Sequence, residues 1–348
     1  MKTLAIADAF MKEDYYRDCF ARFPEYTLEE VLFFGDTDRY AMRPICRRLE
    51  REGADAVPPP EALYDLVGEA EVLMSHLCPI NARVIERAKN LKIILSNRGG
   101  LENIDLEAAT ARGIPVLHNP AHNANSVAEL TIGLMIAEMR NLARTHALLM
   151  RGEWCEKFHN TGAVFEIAGK TVGLIGFGNI GKRVARKLAA FDCTVLVSDP
   201  FIPKDTPELE AYGCTMVDLA TLLRTSDIIS LHARSEDLIL GAAEIAEMKP
   251  GAYFINTARP HLIDNAAITE RLRSGALMGG AFDVFVTEPI PPDEPLLRLD
   301  NVTLTNHRGG ATENCYMDSP AMLLRGAETY FAGGMPDFFA NAKALGAK

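Results

Sequence analysis

The sequence predicts an α/β protein made of two doubly wound parallel-sheet domains. Three observations predict it: short runs rich in Val, Ile and Leu recur along the chain, segments with helical spacing separate them, and 348 residues exceed what one compact core usually supports. In the first third, strands are expected at residues 3–7, 31–34, 71–75, 92–96 and 115–117, with the prolines of 58–60 in a loop. In the middle third they are expected at 171–175, 194–198, 227–231, 252–255, 279–282 and 302–305. Between the two sets, residues 126–150 carry apolar side chains at helical spacing, with Ser126 as N-cap and Glu129 completing a capping box. A further helix is expected over 318–331, stopped by Gly333 and Gly334.

Composition narrows the function classes. With 48% hydrophobic and 24% charged residues the chain has ample core and no disordered tract. A net charge of -11 without any Lys/Arg block argues against nucleic acid or an anionic membrane as the main partner, so an anionic substrate must meet local positive charge. Seven scattered cysteines without a CxxC pair fit reduced thiols, most of them buried, in a cytoplasmic protein. The apolar run at 4–10 is interrupted by Asp8 and lacks the features of a signal peptide. The apolar stretch at 130–139 is half the length needed to span a bilayer and reads as a buried helix.

The expected strand at 171–175 runs directly into Gly176-Phe177-Gly178-Asn179-Ile180-Gly181 and then a basic helix over 182–190. Gly176 permits the tight turn, Gly178 lets the backbone approach a pyrophosphate, and Gly181 lets the helix pack close while its N-terminus faces the anion. Alone, GxGxxG signals a turn as readily as a cofactor. Here the next strand ends in Asp199, placed to accept hydrogen bonds from an adenosine ribose. A carboxylate at that point repels a 2′-phosphate, so NAD is favoured over NADP, with Lys204 as the residue that could soften the preference.

Three later strand ends carry polar groups: Asn256-Thr257-Ala258-Arg259, Asp283 to Glu288, and Asn306-His307. In a parallel sheet these ends share one edge, where ligands bind. Reduction of a 2-oxo acid needs a proton donor for the new hydroxyl and a cation for the carboxylate. His307 paired with Glu288 supplies the first, and the planar fork of Arg259 the second. Taken singly, each has a bland reading as a solvated or structural residue. His118 and His122 are four apart, but Pro120 breaks any helix there, so no metal site is expected.

These motifs, with Gly309-Gly310-Ala311-Thr312, Gly100 to Asp105, and Pro120 through Ser126 to Leu130, resemble the D-isomer-specific 2-hydroxyacid dehydrogenases, the phosphoglycerate dehydrogenase-like group. The resemblance spans roughly residues 93–312. It implies that Arg259 binds substrate, Glu288 supports the acid/base and His307 is that acid/base. It further implies that Asn179, Ile180, Asp199, Thr257, Ala258, Asp283 and Gly310 touch the dinucleotide, and that the backbone of Gly99, Gly100 and Leu101 cradles the substrate carboxylate. The architecture it implies is a Rossmann NAD domain, 120–317, inserted into a discontinuous flavodoxin-like substrate domain, 1–119 and 318–348, with the active site in the cleft between them. The helix after Ser126 resembles the family's dimerisation element, so a homodimer is expected.

Departures from the family pattern bear on the substrate. Pro260 replaces a usual Gly and confines Arg259 to extended geometry; Arg308, His118, His122 and Arg234 are further changes. His76, Arg98, His261 and Arg308 suggest a 2-hydroxy/2-oxo acid bearing extra hydroxyls or a phosphate. A reading from another class is an NAD-sensing protein resembling the family's corepressors, but all three catalytic side chains are retained. Formate oxidation would pair the His with Gln rather than Glu288, and an NADP-linked glyoxylate or hydroxypyruvate reductase would need a cation beside Asp199.

Overall fold

The computed structural model describes residues 1–347. The chain divides into two compact units, one of Met1–Asn123 with the segment from Thr312 onward, the other Ala124–Ala311. The junctions therefore fall at 123/124 and 311/312, where the sequence places them at 119/120 and 317/318.

The first unit holds five parallel strands: β1 (Lys2–Ala7), β2 (Thr27–Phe33), β3 (Val72–Ser75), β4 (Ile93–Ser96) and β5 (Val116–His118), in the order β2-β1-β3-β4-β5. Every residue of β3 and β4 is buried, the signature of strands covered on both faces. Ile6, Leu73 and Ile94 pack on one face with Leu49, Leu63 and Val84. Ala5, Met74 and Leu95 pack on the other with Leu323, Leu324 and Ala327 of the helix Ser319–Phe331. The outer edge of β5 is covered by the C-terminal segment, where Leu117 bridges Phe339 in antiparallel sense and Asn341 Oδ1 accepts from the Val116 N–H.

The second unit holds seven parallel strands: β6 (Thr171–Ile175), β7 (Thr194–Ser198), β8 (Cys214–Met216), β9 (Ile228–Leu231), β10 (Tyr253–Asn256), β11 (Gly279–Phe282) and β12 (Val302–Leu304). Their order, β8-β7-β6-β9-β10-β11-β12, is the doubly wound Rossmann arrangement, and it reverses between β6 and β9. The first unit reverses between β1 and β3, the flavodoxin-like order. Both sheets were expected from the strand pattern. One strand was not: β8 is three residues long, at the sheet edge, and none of its residues is fully buried.

The helix expected over 126–150 is two helices. The first, Ala124–Met139, opens two residues before Ser126, so the capping-box expectation is corrected: the Ser126 hydroxyl instead donates to the Gly309 carbonyl at 2.6 Å. The break comes at Asn141, which adopts φ 55°, a left-handed conformation that Asn tolerates better than most residues. The second helix, Leu142–Leu149, then buries none of its side chains. At the end of the first helix Glu138, fully buried, takes two bonds from Arg144 Nη2 (2.9 and 2.8 Å) and one from the Thr303 hydroxyl at 2.7 Å. The helix after the glycine turn spans Asn179–Leu188, starting three residues before the expected 182. The cysteines are less buried than expected: Cys19, Cys78 and Cys315 are buried, Cys46, Cys193 and Cys214 half-buried, and Cys155 exposed. No helix among the described residues is long and apolar enough to cross a membrane.

Candidate active site

The glycine turn follows from two steric demands, at Gly176 and Gly181, and from open space at Gly178. Gly176 has φ 96°, and a Cβ on it would lie 2.6 Å from the Ala233 nitrogen, where the chain leaving β9 crosses the turn. A Cβ on Gly181 would collide with the Gly176 carbonyl, so this glycine sets how closely the helix meets the strand. Gly178 faces open space, room that a ligand backbone can use. The helix Asn179–Leu188 has Gly178 as its N-cap and no side-chain cap, which leaves the first-turn N–H groups of Asn179, Ile180 and Gly181 pointing at that space. Asp199, just past β7, accepts from the N–H groups of Phe177 (2.8 Å) and Phe201 (2.9 Å). The carboxylate thus ties the turn to β7 and keeps lone pairs for a ribose. The residues present fit a dinucleotide. Gly176→Ala is expected to lower stability by about 1–3 kcal/mol, from overpacking and a strained φ, and to weaken NADH binding. Thermal unfolding and fluorescence titration check it; an unchanged melting point with full NADH affinity contradicts it.

At the carboxyl edge of β10, buried Asn256 organises the loop. Its Oδ1 accepts from the Ala258 N–H at 2.9 Å and its Nδ2 donates to the Arg259 carbonyl at 3.2 Å. Arg259 is extended, φ -146° and ψ 145°, as the following Pro260 demands, and its Nη1 donates to the Ala258 carbonyl at 2.7 Å. The Thr257 hydroxyl lies 2.8 Å from that of Thr131, so this side chain is tied to the helix Ala124–Met139.

Beyond β11, buried Asp283 holds the segment that carries His307. Its two oxygens accept from the Thr305 hydroxyl (2.6 Å), the Arg308 N–H (2.7 Å) and the Gly309 N–H (2.8 Å). Within that clamp His307 adopts φ 55°, left-handed backbone unusual for a non-glycine residue and found at functional sites. His307 Nδ1 lies 2.8 Å from Glu288 Oε2, and Glu288 Oε1 accepts from the Phe285 N–H at 3.0 Å. Partial burial alone would raise the Glu288 pKa. The hydrogen bonds from His307 and Phe285, with the charges of His307 and Arg259, outweigh it and leave Glu288 below its ordinary value. It is therefore ionised at neutral pH, an acceptor that fixes the imidazole with Nδ1 protonated and Nε2 free to exchange a proton.

The structure thus brings Glu288 and His307 into direct contact, places Arg259 close enough to act on Glu288 through its charge, and gathers Asp283, Thr305 and Gly309 behind them. Gly310 stands in the turn closed by the Ala311 N–H on the Arg308 carbonyl. His261 is turned to the Ser235 carbonyl at 3.0 Å. Sequence reasoning gave no role to Asn256 as the staple of the Arg259 loop or to Ser126 and Thr131 as supports; a buried amide at a strand end was the signal for the first.

The remaining expected residues lie in the first unit. His76, past β3, is buried and its Nδ1 is 2.9 Å from Asp8 Oδ2, an acid that also accepts the Phe10 and Met11 N–H groups. Burial would raise the Asp8 pKa, but the charge and hydrogen bond of His76 and these backbone bonds carry it below its ordinary value. Asp8 was visible only as an interruption of an apolar run. Arg98, past β4, reaches Glu50 at 3.0 Å. The Gly99 carbonyl meets His118 Nδ1 at 2.8 Å; a Cβ on Gly99 would press on Pro120, and one on Gly100 would collide with the Glu102 carboxylate. Leu101 packs partly buried against the core of this unit. No group of three or more His, Cys, Asp or Glu among the described residues is placed to hold a metal ion.

Residues 132–309 match the family described as D-isomer specific 2-hydroxyacid dehydrogenase, NAD binding domain. The chain is 42% identical to the hydroxypyruvate reductase of Thermotoga maritima over 259 residues, 72% of this chain and 82% of that one. It is also 42% identical over 286 residues to the D-3-phosphoglycerate dehydrogenase of Methanocaldococcus jannaschii, covering 81% of this chain and 53% of that protein. The chain thus spans about half the length of this relative. Among solved structures, the D-isomer specific 2-hydroxyacid dehydrogenase of Lactobacillus delbrueckii ssp. bulgaricus, in its NAD-complexed form, covers 98% of this chain and 100% of its own with a TM-score of 0.75. At 22% identity that likeness concerns the fold.

Proposed function

We propose, because the chain belongs to the D-isomer specific 2-hydroxyacid dehydrogenase family, that it is an NAD-dependent oxidoreductase interconverting a D-2-hydroxy acid and its 2-oxo acid. The observation that carries this reading is the Glu288–His307 pair at 2.8 Å under the influence of the Arg259 charge. The cofactor, when bound, supplies or accepts the hydride. Glycines 176, 178 and 181, the uncapped first turn and Asp199 would hold it, with Thr257, Ala258, Asp283 and Gly310 nearby along the same sheet edge.

The protein's own groups handle the proton and the carboxylate. Ionised Glu288 stabilises the imidazolium and orients the ring, so His307 Nε2 gives its proton to the nascent alkoxide and takes it back in the oxidative direction. The Arg259 fork engages the substrate carboxylate and polarises the neighbouring carbonyl. The backbone of Gly99, Gly100 and Leu101, with Arg98 and His76, makes up the rest of the substrate-binding set.

The substrate class we favour is a small polar 2-hydroxy acid bearing further hydroxyls or a phosphate, in keeping with relatives named hydroxypyruvate reductase and D-3-phosphoglycerate dehydrogenase. NADH oxidation is to be followed with glyoxylate, hydroxypyruvate, phosphohydroxypyruvate and plain alkyl 2-oxo acids, and repeated with NADPH. The expected result is turnover with NADH, best on the polar acids, and a D-configured product. Tight NADH binding with no turnover of any acid would sink the reading in favour of a nucleotide sensor.

A homodimer is part of this reading. The helix Leu142–Leu149 and the segment after it expose Leu142, Leu149, Met150 and Trp154, an apolar strip that suits burial against a second copy. Light scattering should give twice the mass of 38.2 kDa, and Leu149→Glu with Met150→Glu should return the monomer; a monomeric parent protein would end the proposal. The exposed thiol of Cys155 suits a reducing compartment, the cytoplasm.

A further inference from the structure

We propose that the first unit carries a second small-molecule site, built from its own residues alone, for a zwitterion with an ammonium, a carboxylate and a short apolar body. The site is a half-open cavity of about 370 Å³ lined by the end of β5, the helix Ser319–Phe331 and the segment around Pro336. That volume lies within the range of small-ligand pockets, about 300–1,000 Å³. Its floor is apolar, made by Leu117, Met322 and Phe338, the last held at φ 62°.

The polar groups on its wall give the ligand its chemistry. Arg325 and Asp337 both line the cavity, and neither forms a salt bridge among the described residues. Asn119, which also lines it, is 2% exposed. Its Nδ2 donates to the Ser319 hydroxyl at 2.9 Å, while its Oδ1 accepts from no protein group. On a residue otherwise enclosed, that oxygen remains open to a donor arriving in the cavity. An ammonium answers both Asn119 Oδ1 and Asp337, a carboxylate answers Arg325, and an apolar side chain covers the floor. A free α-amino acid such as leucine or methionine has this pattern.

The same wall is bonded to the loop after β4. His118 Nδ1 meets the Gly99 carbonyl at 2.8 Å, and the Asn119 N–H donates to the Arg98 carbonyl at 2.7 Å. A ligand seated on His118 and Asn119 therefore presses on the backbone assigned above to the substrate carboxylate. Binding is independent of the dehydrogenase reading; the effect on turnover rests on it.

Isothermal titration of the full chain with L-leucine, L-methionine and L-phenylalanine tests the site, with 4-methylpentanoate and isoamylamine as analogues of leucine that each lack one charge. Expected are saturable binding of one ligand per chain, and affinity lower by about tenfold or more for either analogue and for Asp337→Asn or Arg325→Gln, the usual loss when a charged hydrogen bond is removed. Both substituted residues are exposed, so the variants should keep the parent melting temperature. With bound amino acid, KM for the 2-oxo acid should shift to a plateau as the amino acid saturates, unlike the unlimited rise that competition gives, while kcat stays close to its original value. No saturable binding by any of the three, unchanged affinity in both variants, or competition between the amino acid and the 2-oxo acid would each overturn the proposal. Failure of turnover itself would end the functional reading and leave the titration's answer standing.

Discussion

His307→Ala should lower kcat by about 10² or more, the usual scale for loss of a general acid/base, while the NADH dissociation constant stays within about twofold. His307 is exposed, on left-handed backbone at the sheet edge, and among the described residues its imidazole hydrogen-bonds to Glu288 alone, so its removal leaves no buried group unpaired. Stability should therefore be spared, which separates a chemical role from a structural one. Stopped-flow reduction of the 2-oxo acid under single-turnover conditions checks the chemical step; a rate within threefold or so of the parent would remove His307 from the mechanism. The pH dependence has a defined sign. Because the folded Glu288 pKa lies below its ordinary 4.5, the pair is intact above that value and is lost only as pH falls through the lower folded value.

Glu138→Ala should cost about 3–5 kcal/mol of folding stability, the largest loss expected from a single polar substitution here, because it strands a partly buried Arg144 guanidinium. Glu138 is fully enclosed and accepts three bonds, two from Arg144 and one from Thr303, so the change also leaves the Thr303 hydroxyl without its acceptor. The double replacement Glu138→Leu with Arg144→Leu should recover a large part of the loss, since removing both charges strands neither. Urea unfolding measures both. A single-variant loss below about 1 kcal/mol, the range of an exposed pair, would mean that the bridge behaves as a surface contact.

The sequence exposed the frame of this fold because parallel strands covered on both faces are nearly continuous apolar runs, and β3, β4, β9 and β10 are so, with one Ser or Asn each. What it hid follows from the same physics. β8 is too short and too open to carry an apolar run, and the order of strands at a sheet edge leaves little mark on composition. The break at Asn141 was hidden because Asn is tolerated in a helix as well as in the left-handed turn it takes here. Ser126 looked like a cap because a hydroxyl three residues before Glu129 fits that pattern, whereas its acceptor, the Gly309 carbonyl, lies far along the chain.

The candidate site was proposed residue by residue, from strand ends and motif spacing, but its supports left no such mark. Arg259, Glu288, His307 and the glycine turn are types that chemistry demands in places that topology dictates. Asn256 and Asp8 serve neighbours whose identity only the folded backbone supplies. His76 and Arg98, expected to bind substrate, carry partners the sequence did not name, Asp8 and Glu50.

One carboxylate, Asp283, gathers three donors from a stretch of five residues. A single breakage there cannot slacken the stretch, since the other two anchors hold it in register with β11. The His307 ring thus borrows its steadiness from the sheet floor, and warming should not loosen it piecemeal: it keeps its aim until the strands beneath it part.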